Sequence, residues 1–131
     1  MKKPINTDKT IEDYLEAMLM LKEKNGYIRS IDVAALLGVT KPSVTYTTKR
    51  LKERGYITMD DGNMITITDE GMKIASDTLR RHVLLTKFFM NLGVSEKSAR
   101  EDACKVEHDL SRETFEAICR HAEQYGVSTE S

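Results

Sequence analysis

The sequence predicts a mainly α-helical protein that contains one small β-hairpin. Apolar residues recur at the three- and four-residue spacing of amphipathic helices through most of the 131 residues. Two short β-rich runs flank an Asp61-Gly62 turn, a pattern that is typical of a hairpin. The length suits one domain, or two small lobes that share a core.

The first predicted helix begins at Thr10 and ends at Asn25-Gly26. Thr10 can cap it, because Asp13 follows three residues later in the spacing of a capping box. One face of this helix is apolar and is expected to be buried: Ile11, Tyr14, Leu15, Met18, Leu19 and Leu21. Residues 1–9 are expected to form a frayed leader, and a short extended piece is expected at 27–29.

A pair of helices and the hairpin come next. Ser30 can cap a helix that Gly38 ends, and the second helix of the pair is predicted over 42–54. Pro42 fits the first turn of that helix because a missing amide hydrogen needs no partner there. The hairpin is expected over 56–68. A winged helix-turn-helix has the same order of elements: a short helix, a turn, a second helix and a two-stranded hairpin.

The rest of the chain is predicted to be helical. Helical spacing and capping residues give three helices: 69–91, Ser95 to about Asp109, and Ser111 to about Tyr125. A polar tail is expected at 126–131.

Composition narrows the possible function classes. A net charge of −1, with 31% charged and 40% hydrophobic residues, is ordinary for a soluble globular chain. No apolar run approaches the length of a membrane helix, and no apolar signal core follows the basic N-terminus. Two cysteines are too few for a disulfide framework. We therefore expect a cytoplasmic protein that does not bind membranes.

The charge is unevenly distributed along the chain. Residues 41–54 carry five bases against one acid, whereas residues 101–131 carry eight acids against three bases. This pattern predicts a polyanion contact in the first region and cation chemistry in the second, although solvated helix faces would give the same counts.

The second helix of the helix-turn-helix pair carries the candidate DNA-binding residues. In a helix-turn-helix, this helix is the one expected to enter the major groove. Its opening residues are small, polar or hydrogen-bonding, and its later turns are basic, as contacts to bases and phosphates require. The candidates are Thr40, Lys41, Pro42, Ser43, Thr45, Tyr46, Lys49 and Arg50. Asp60 and Asp61 make the hairpin tip acidic, which argues against a close contact of the wing with phosphate. The residues alone also allow a helical domain without a DNA partner.

Ligand-type residues cluster near the predicted end of the fifth helix. Cys104 lies three residues before Glu107 and four before His108, so a thiolate, a carboxylate and an imidazole share one helical face. This set predicts half of a site for a divalent transition metal. Asp13 and Glu16 share a face of the first helix, which by itself equally fits a solvated acidic surface.

Taken together, the sequence resembles the diphtheria toxin repressor family of metal-dependent transcription factors, and especially its short branch, the manganese transport regulators. The resemblance runs from about residue 10 to residue 125. It is carried by Glu12-Asp13-Tyr14-Leu15-Glu16, Lys41-Pro42-Ser43-Val44-Thr45, Arg81-His82-Val83-Leu84-Leu85, and Asp102-Ala103-Cys104-Lys105-Val106-Glu107-His108 followed by Leu110-Ser111.

The resemblance implies a mixed metal site. The implied ligands are Asp13, Glu16, His82, Cys104, Glu107 and His108. Cys104 is typical of the iron-responsive branch, and the other five match the manganese branch. Thr86 and Arg100 stand where the iron branch has an acid and a histidine, so its ancillary site is not matched. Carboxylates suit Mn²⁺ and Fe²⁺, while a thiolate adds affinity for softer ions. Mn(II) or Fe(II) is therefore expected as corepressor, with Co(II) or Zn(II) possible in vitro.

The implied function is metal-dependent repression of metal-uptake genes. Residues 1–70 would form the winged helix-turn-helix DNA-binding domain, and residues 71–131 a helical metal-binding and dimerisation domain. A homodimer would bind a palindromic operator in double-stranded DNA, and the metal would tie the two lobes together and favour the DNA-binding form.

Two other functions remain open from the sequence. One is a winged-helix regulator that is not controlled by metal. The other is a small metalloenzyme, but the sequence lacks a His-Glu-x-x-His motif, a Gly-rich phosphate loop and a nucleophile elbow. We therefore expect that the protein is not an enzyme.

Overall fold

The computed structural model describes residues 9–124, in which the chain forms six helices and three strands. The predicted polar tail and all but the last residue of the predicted leader lie outside the described residues. The chain separates into two compact units, residues 1–76 and 77–131. Within the described residues, no helix is both long and apolar enough to cross a membrane. The mainly α-helical fold class with its hairpin is confirmed.

The N-terminal unit contains three helices, a small sheet and the start of a fourth helix. Its elements are α1 (Lys9–Asn25), β1 (Ile28–Arg29), α2 (Ser30–Leu37), α3 (Lys41–Glu53), β2 (Ile57–Met59), β3 (Met64–Ile67) and the first turns of α4 (Asp69–Asn91). The strands are antiparallel in the order β1-β3-β2, with Ile28 opposite Ile65 and Ile57 opposite Ile67. The sequence predicted β2 and β3 as a hairpin. It did not predict that β1 pairs with β3, because a strand of two residues is too short to show an alternating pattern.

The apolar face predicted for α1 is confirmed, because all six of its residues are buried. Val33 of α2, Leu51 of α3 and Ile57 of β2 are also almost fully buried. The first turn of α4 approaches the sheet so closely that a side chain at Gly71 would overlap the carbonyl oxygen of Tyr56.

Two predicted helix caps are wrong. Thr10 does not cap α1, because the helix already includes Lys9. Ser30 is the first residue of α2, and the cap is Arg29, whose extended backbone continues the pairing of β1 with β3. The guanidinium of Arg29 donates to the Asp32 carboxylate at 2.9 Å, which raises the pKa of Arg29. Pairing of β1 therefore sets the start of α2.

The caps around α3 follow the sequence. Gly38 ends α2 with a φ of 67°, a left-handed conformation that favours glycine. The hydroxyl of Thr40 accepts a hydrogen bond from the backbone N–H of Ser43 at 3.2 Å and caps α3, which has Pro42 in its first turn. These signals fix the start of the helix that is expected to bind DNA.

The hairpin tip is held by Asp60. Its carboxylate accepts hydrogen bonds from the backbone N–H groups of Gly62 at 2.9 Å and Met64 at 3.0 Å. Asn63, rather than Gly62, has the positive φ of 62°. One of the two acids at the tip therefore has a structural task within the turn.

The C-terminal unit contains the rest of α4 and two shorter helices, α5 (Glu96–Val106) and α6 (Arg112–Gln124). Ser95 and Ser111 cap these helices as predicted, by accepting hydrogen bonds from the backbone N–H groups of Ser98 and Thr114. The core of the unit consists of Leu84, Leu85, Ala103, Phe115, Cys119 and Ala122. The predicted end of α5 near Asp109 is wrong, because the helix stops at Val106 and Glu107 is its C-cap.

Candidate metal centre and DNA-binding surface

Glu107 has a buried carboxylate. Its side chain is 0% exposed. Among the described residues, neither carboxylate oxygen has a hydrogen-bond partner of acceptable geometry. A buried carboxylate costs several kcal/mol unless a positive charge or hydrogen-bond donors compensate it, so the groups around it decide what this position can bind.

Three other predicted ligands surround this carboxylate. His82, on α4, places Nδ1 3.2 Å from Oε2 of Glu107, and His108 places Nε2 3.3 Å from Oε1. The Sγ of Cys104, on α5, lies within 4.8 Å of a Glu107 carboxylate oxygen. His108 is buried, His82 is partly buried and Cys104 is exposed. We call these four residues the Glu107 centre.

The Glu107 centre fits a divalent transition metal. It presents imidazole nitrogen, carboxylate oxygen and a thiol, the donor types that such ions take. Ligand atoms about 2.1 Å from an ion are about 3.0 Å apart when they subtend a right angle at it. The nitrogen–oxygen separations of 3.2 and 3.3 Å are close to that value. A cation bound among these atoms would compensate the buried charge of Glu107.

Arg81 fixes the backbone of the centre. Its Nη1 donates a hydrogen bond to the carbonyl oxygen of Glu107 at 3.0 Å, and its guanidinium lies 5.1 Å from the centre of the Phe115 ring. The sequence did not identify this role, although Arg81 stands beside His82 in a segment of the resemblance. Twenty-six residues separate Arg81 from Glu107, so no local spacing pattern connects them.

Thr86 stands where the iron branch has an acid. It is buried, and its hydroxyl donates to the carbonyl oxygen of His82 at 2.8 Å within α4. This hydrogen bond stays within one helix.

The two remaining predicted ligands, Asp13 and Glu16, lie on α1 in the N-terminal unit. Asp13 is partly exposed and Glu16 is buried. Their three-residue separation on a helix gives both carboxylates one face. Their role as ligands stays a prediction.

The face of α3 that was expected to bind DNA is exposed. Seven of the eight candidate residues are exposed: Thr40, Lys41, Pro42, Ser43, Thr45, Tyr46 and Lys49. The eighth, Arg50, is partly exposed. Tyr46 has 65% of its surface accessible, and the guanidinium of Arg50 lies 5.7 Å from the centre of its ring. Val44, Thr47, Thr48 and Leu51 are buried and anchor the opposite face. The hydroxyls of Thr40 and Ser43 also bond to one another at 3.0 Å, so both contribute to the cap.

Comparison with known proteins identifies the family. Residues 6–61 match the model of the iron-dependent repressor N-terminal DNA-binding domain, and residues 68–128 match that of the iron-dependent repressor metal-binding and dimerisation domain. The transcriptional regulator MntR of Salmonella typhimurium is 39% identical over 120 residues, which cover 92% of this chain and 76% of that protein. MntR of Bacillus subtilis is 34% identical over 112 residues, covering 86% and 79%.

A solved structure has the same fold. A manganese-dependent transcriptional repressor in complex with manganese matches with a TM-score of 0.78 and 27% identity. The match covers 86% of this chain but 52% of that one, so the chain spans about half the length of this relative. The two matched domains imply DNA and a second copy of the chain as partners, and a divalent metal as cofactor. The chain therefore belongs to the iron-dependent repressor family, the diphtheria toxin repressor and MntR-type family of metal-dependent DNA-binding transcriptional regulators, whose members are not enzymes.

Proposed function

We propose that this protein represses metal-uptake genes and uses Mn(II) or Fe(II) as its corepressor. The observation that carries the proposal is the fully buried carboxylate of Glu107, which has an imidazole nitrogen within 3.3 Å of each oxygen. A bound divalent ion supplies positive charge to the centre and a common point of attachment for its ligands. His82 and His108 serve as neutral nitrogen ligands, and Glu107 serves as an anionic oxygen ligand.

The proposed ligand set is Asp13, Glu16, His82, Cys104, Glu107 and His108. Asp13 and Glu16 are included on their residue type, their spacing on α1 and the family pattern. A relative that was solved with manganese supports Mn(II), whereas the matched family models are those of iron-dependent repressors. Imidazole and thiolate ligands also suit Co(II) and Zn(II), which we expect to act in vitro.

Metal binding controls DNA binding only through a difference in metal affinity between two forms of the protein. Without metal, the carboxylates of the ligand set repel one another and oppose the arrangement that the metal stabilises. A coupling of about 1–3 kcal/mol corresponds to roughly 5–150-fold tighter operator binding. We propose a homodimer on a palindromic double-stranded operator, because two reading helices about 34 Å apart contact successive major grooves on one face.

We divide the functions between residues 1–70, which bind DNA, and residues 71–131, which bind metal and dimerise. The matched ranges, 6–61 and 68–128, support this division. The cytoplasm is the compartment in which such a regulator meets both DNA and the metal that it senses, and we propose it as the location of this one.

DNA affinity under metal control is the deciding experiment. Fluorescence anisotropy would be measured anaerobically on the protein's own promoter region, first with a chelator and then with buffered Mn²⁺, Fe²⁺, Co²⁺ or Zn²⁺. We expect at least about tenfold tighter binding with the corepressor. Equal binding in every condition would leave a winged-helix regulator that metal does not control.

A matched pair of variants on one segment tests the site. Glu107→Gln keeps the shape of the side chain but removes its charge, so metal should no longer tighten DNA binding. Glu101→Gln makes the same change at an exposed position of α5 and should leave the metal response unchanged. A full metal response in Glu107→Gln would remove the Glu107 centre from the proposal.

The exposed face of α3 is the proposed DNA-reading surface. Lys49→Ala should weaken binding to all DNA sequences similarly and reduce the slope of log affinity against log salt by about 1, because a phosphate contact is lost. Lys97→Ala on the exposed surface of α5 is the control and should leave this slope unchanged. A loss restricted to one base position would show that Lys49 reads a base instead.

A further inference from the structure

A second charged site lies in the C-terminal unit, between α4 and α6. There the two helices form an open cleft of about 290 Å³. Four arginines line it, two from each helix: Arg80, Arg81, Arg112 and Arg120. We call it the arginine cleft.

The arginine cleft carries more positive than negative charge. Its four guanidinium groups face two lining carboxylates, those of Asp77 and Glu116. Glu116 is 3.8 Å from Nη1 of Arg112 in an exposed pair, which provides little stabilisation. Asp77 lies 3.4 Å from Nε of Arg81. Two positive charges therefore remain in excess.

Two of the arginines have no carboxylate partner among the described residues. Neither Arg80 nor Arg120 forms an ion pair with any carboxylate between residues 9 and 124. Arg80 is held instead by neutral groups: Nη2 lies 3.9 Å from the Sγ of Cys119, and the guanidinium lies 5.5 Å from the centre of the Phe115 ring. These contacts orient the guanidinium but do not neutralise its charge.

Arg81 adds a second guanidinium that Phe115 orients at the cleft. Its buried Nε has no hydrogen-bond partner of acceptable geometry among the described residues, despite the nearby Asp77 carboxylate. Its guanidinium lies over the same Phe115 ring as that of Arg80, so two like charges share one aromatic side chain. Phe115 therefore orients both neighbouring guanidinium groups of α4 at the cleft.

We propose that the arginine cleft binds a small oxyanion, either a phosphate group or the carboxylates of a small organic acid. Guanidinium groups form parallel hydrogen bonds to both kinds of anion, and the cleft already fixes two of them against Phe115 before any ligand arrives. The volume suits a compact anion rather than a nucleotide or a peptide. The proposal does not depend on the metal or on DNA.

Calorimetric titration of the full chain, first stripped of metal by a chelator that is then removed by dialysis, tests this site directly. Inorganic phosphate and citrate are the two probes, in separate titrations at physiological chloride concentration. We expect saturable binding of at least one probe, with a dissociation constant of about 1 mM or below. Absence of saturable binding for both probes would overturn the proposal, and the identity of the probe that binds distinguishes phosphate from carboxylate chemistry.

Substitutions locate the binding within the molecule. Arg80→Gln should weaken it about tenfold or more, the loss expected for a charge-assisted pair. Arg120→Gln should weaken it as well, and it provides a second test at an exposed residue if Arg80→Gln fails to fold. Arg100→Gln is the control, because this exposed arginine of α5 is paired with Glu96 at 2.8 Å. An equal loss in Arg100→Gln and in the cleft variants would indicate nonspecific charge attraction and would overturn the assignment.

Discussion

The C-terminal unit contains two charged regions of opposite sign, and they differ in access to solvent. At the Glu107 centre the charge is fully buried, whereas the arginine cleft is open and three of its four arginines are exposed. Water screens the second charge but not the first. A ligand of the Glu107 centre should therefore have a large effect on stability, and a ligand of the arginine cleft a modest one.

The largest expected effect is the loss of metal-induced stabilisation in Glu107→Gln. A ligand at 100 times its dissociation constant stabilises the folded state by about 2.7 kcal/mol, which raises the Tm of a chain of this size by roughly 10 °C. Thermal unfolding of the wild-type protein should show this shift on addition of Mn²⁺. The variant should show almost none, because its amide is a poor ligand for the ion.

The Tm values of the metal-free wild type and the metal-free Glu107→Gln variant are the second comparison. Without metal, Glu107→Gln should unfold at the same temperature as the wild type or a higher one, because the variant buries no charge. The control is Glu101→Gln, with an unchanged Tm and an unchanged metal shift. A fall of several degrees in metal-free Glu107→Gln would contradict this account, since it would mean that the protein itself satisfies the carboxylate.

The sequence predicted most of the fold because its signals are local. Caps at Thr40, Ser95 and Ser111 and the left-handed stop at Gly38 each act within one turn. The cap predicted at Ser30 was wrong because pairing between β1 and β3 is a contact over long sequence separation. Such contacts cannot be recognised from the spacing of apolar residues along the sequence. Here they determine that Arg29 is still extended and that α2 begins at Ser30.

The same distinction applies to the two charged regions. Cys104, Glu107 and His108 lie within five residues of one another, so their spacing along the sequence was enough to predict three members of the Glu107 centre. The arginine cleft joins two neighbouring arginines of α4 to Arg112 and Arg120 from a segment with eight acids against three bases. The sequence did not predict the arginine cleft, because the net charge of residues 101–131 is negative and only the fold brings Arg112 and Arg120 together.

A smaller effect is expected at Cys104, the exposed member of the Glu107 centre. Cys104→Glu replaces a soft thiolate by a hard carboxylate, so the DNA-binding response should shift about tenfold towards Mn²⁺ relative to Co²⁺ and Zn²⁺. The anaerobic anisotropy assay measures this ratio. Cys119→Ala, at the other cysteine, is the control and should leave the ratio unchanged. Unaltered Co²⁺ and Zn²⁺ responses in Cys104→Glu would remove Cys104 from the ligand set.

The smallest expected effect connects the two regions through Arg81, which lines the arginine cleft and donates to the carbonyl oxygen of Glu107. An oxyanion in the cleft neutralises positive charge near the centre, so it should favour a divalent cation there. We expect about two- to fivefold tighter Mn²⁺ binding when the anion is present, a coupling at or below the usual allosteric range.

Mn²⁺ affinity would be measured at buffered free Mn²⁺, with and without the anion that binds in calorimetry. Arg80→Gln should abolish the difference and leave Mn²⁺ affinity without anion close to that of the wild type, because it removes an anion ligand and keeps Arg81. An anion that binds but leaves Mn²⁺ affinity unchanged would show that Arg81 holds the Glu107 backbone equally well in both states. The two regions would then act independently, and the shared residue would be a structural bridge without regulatory effect.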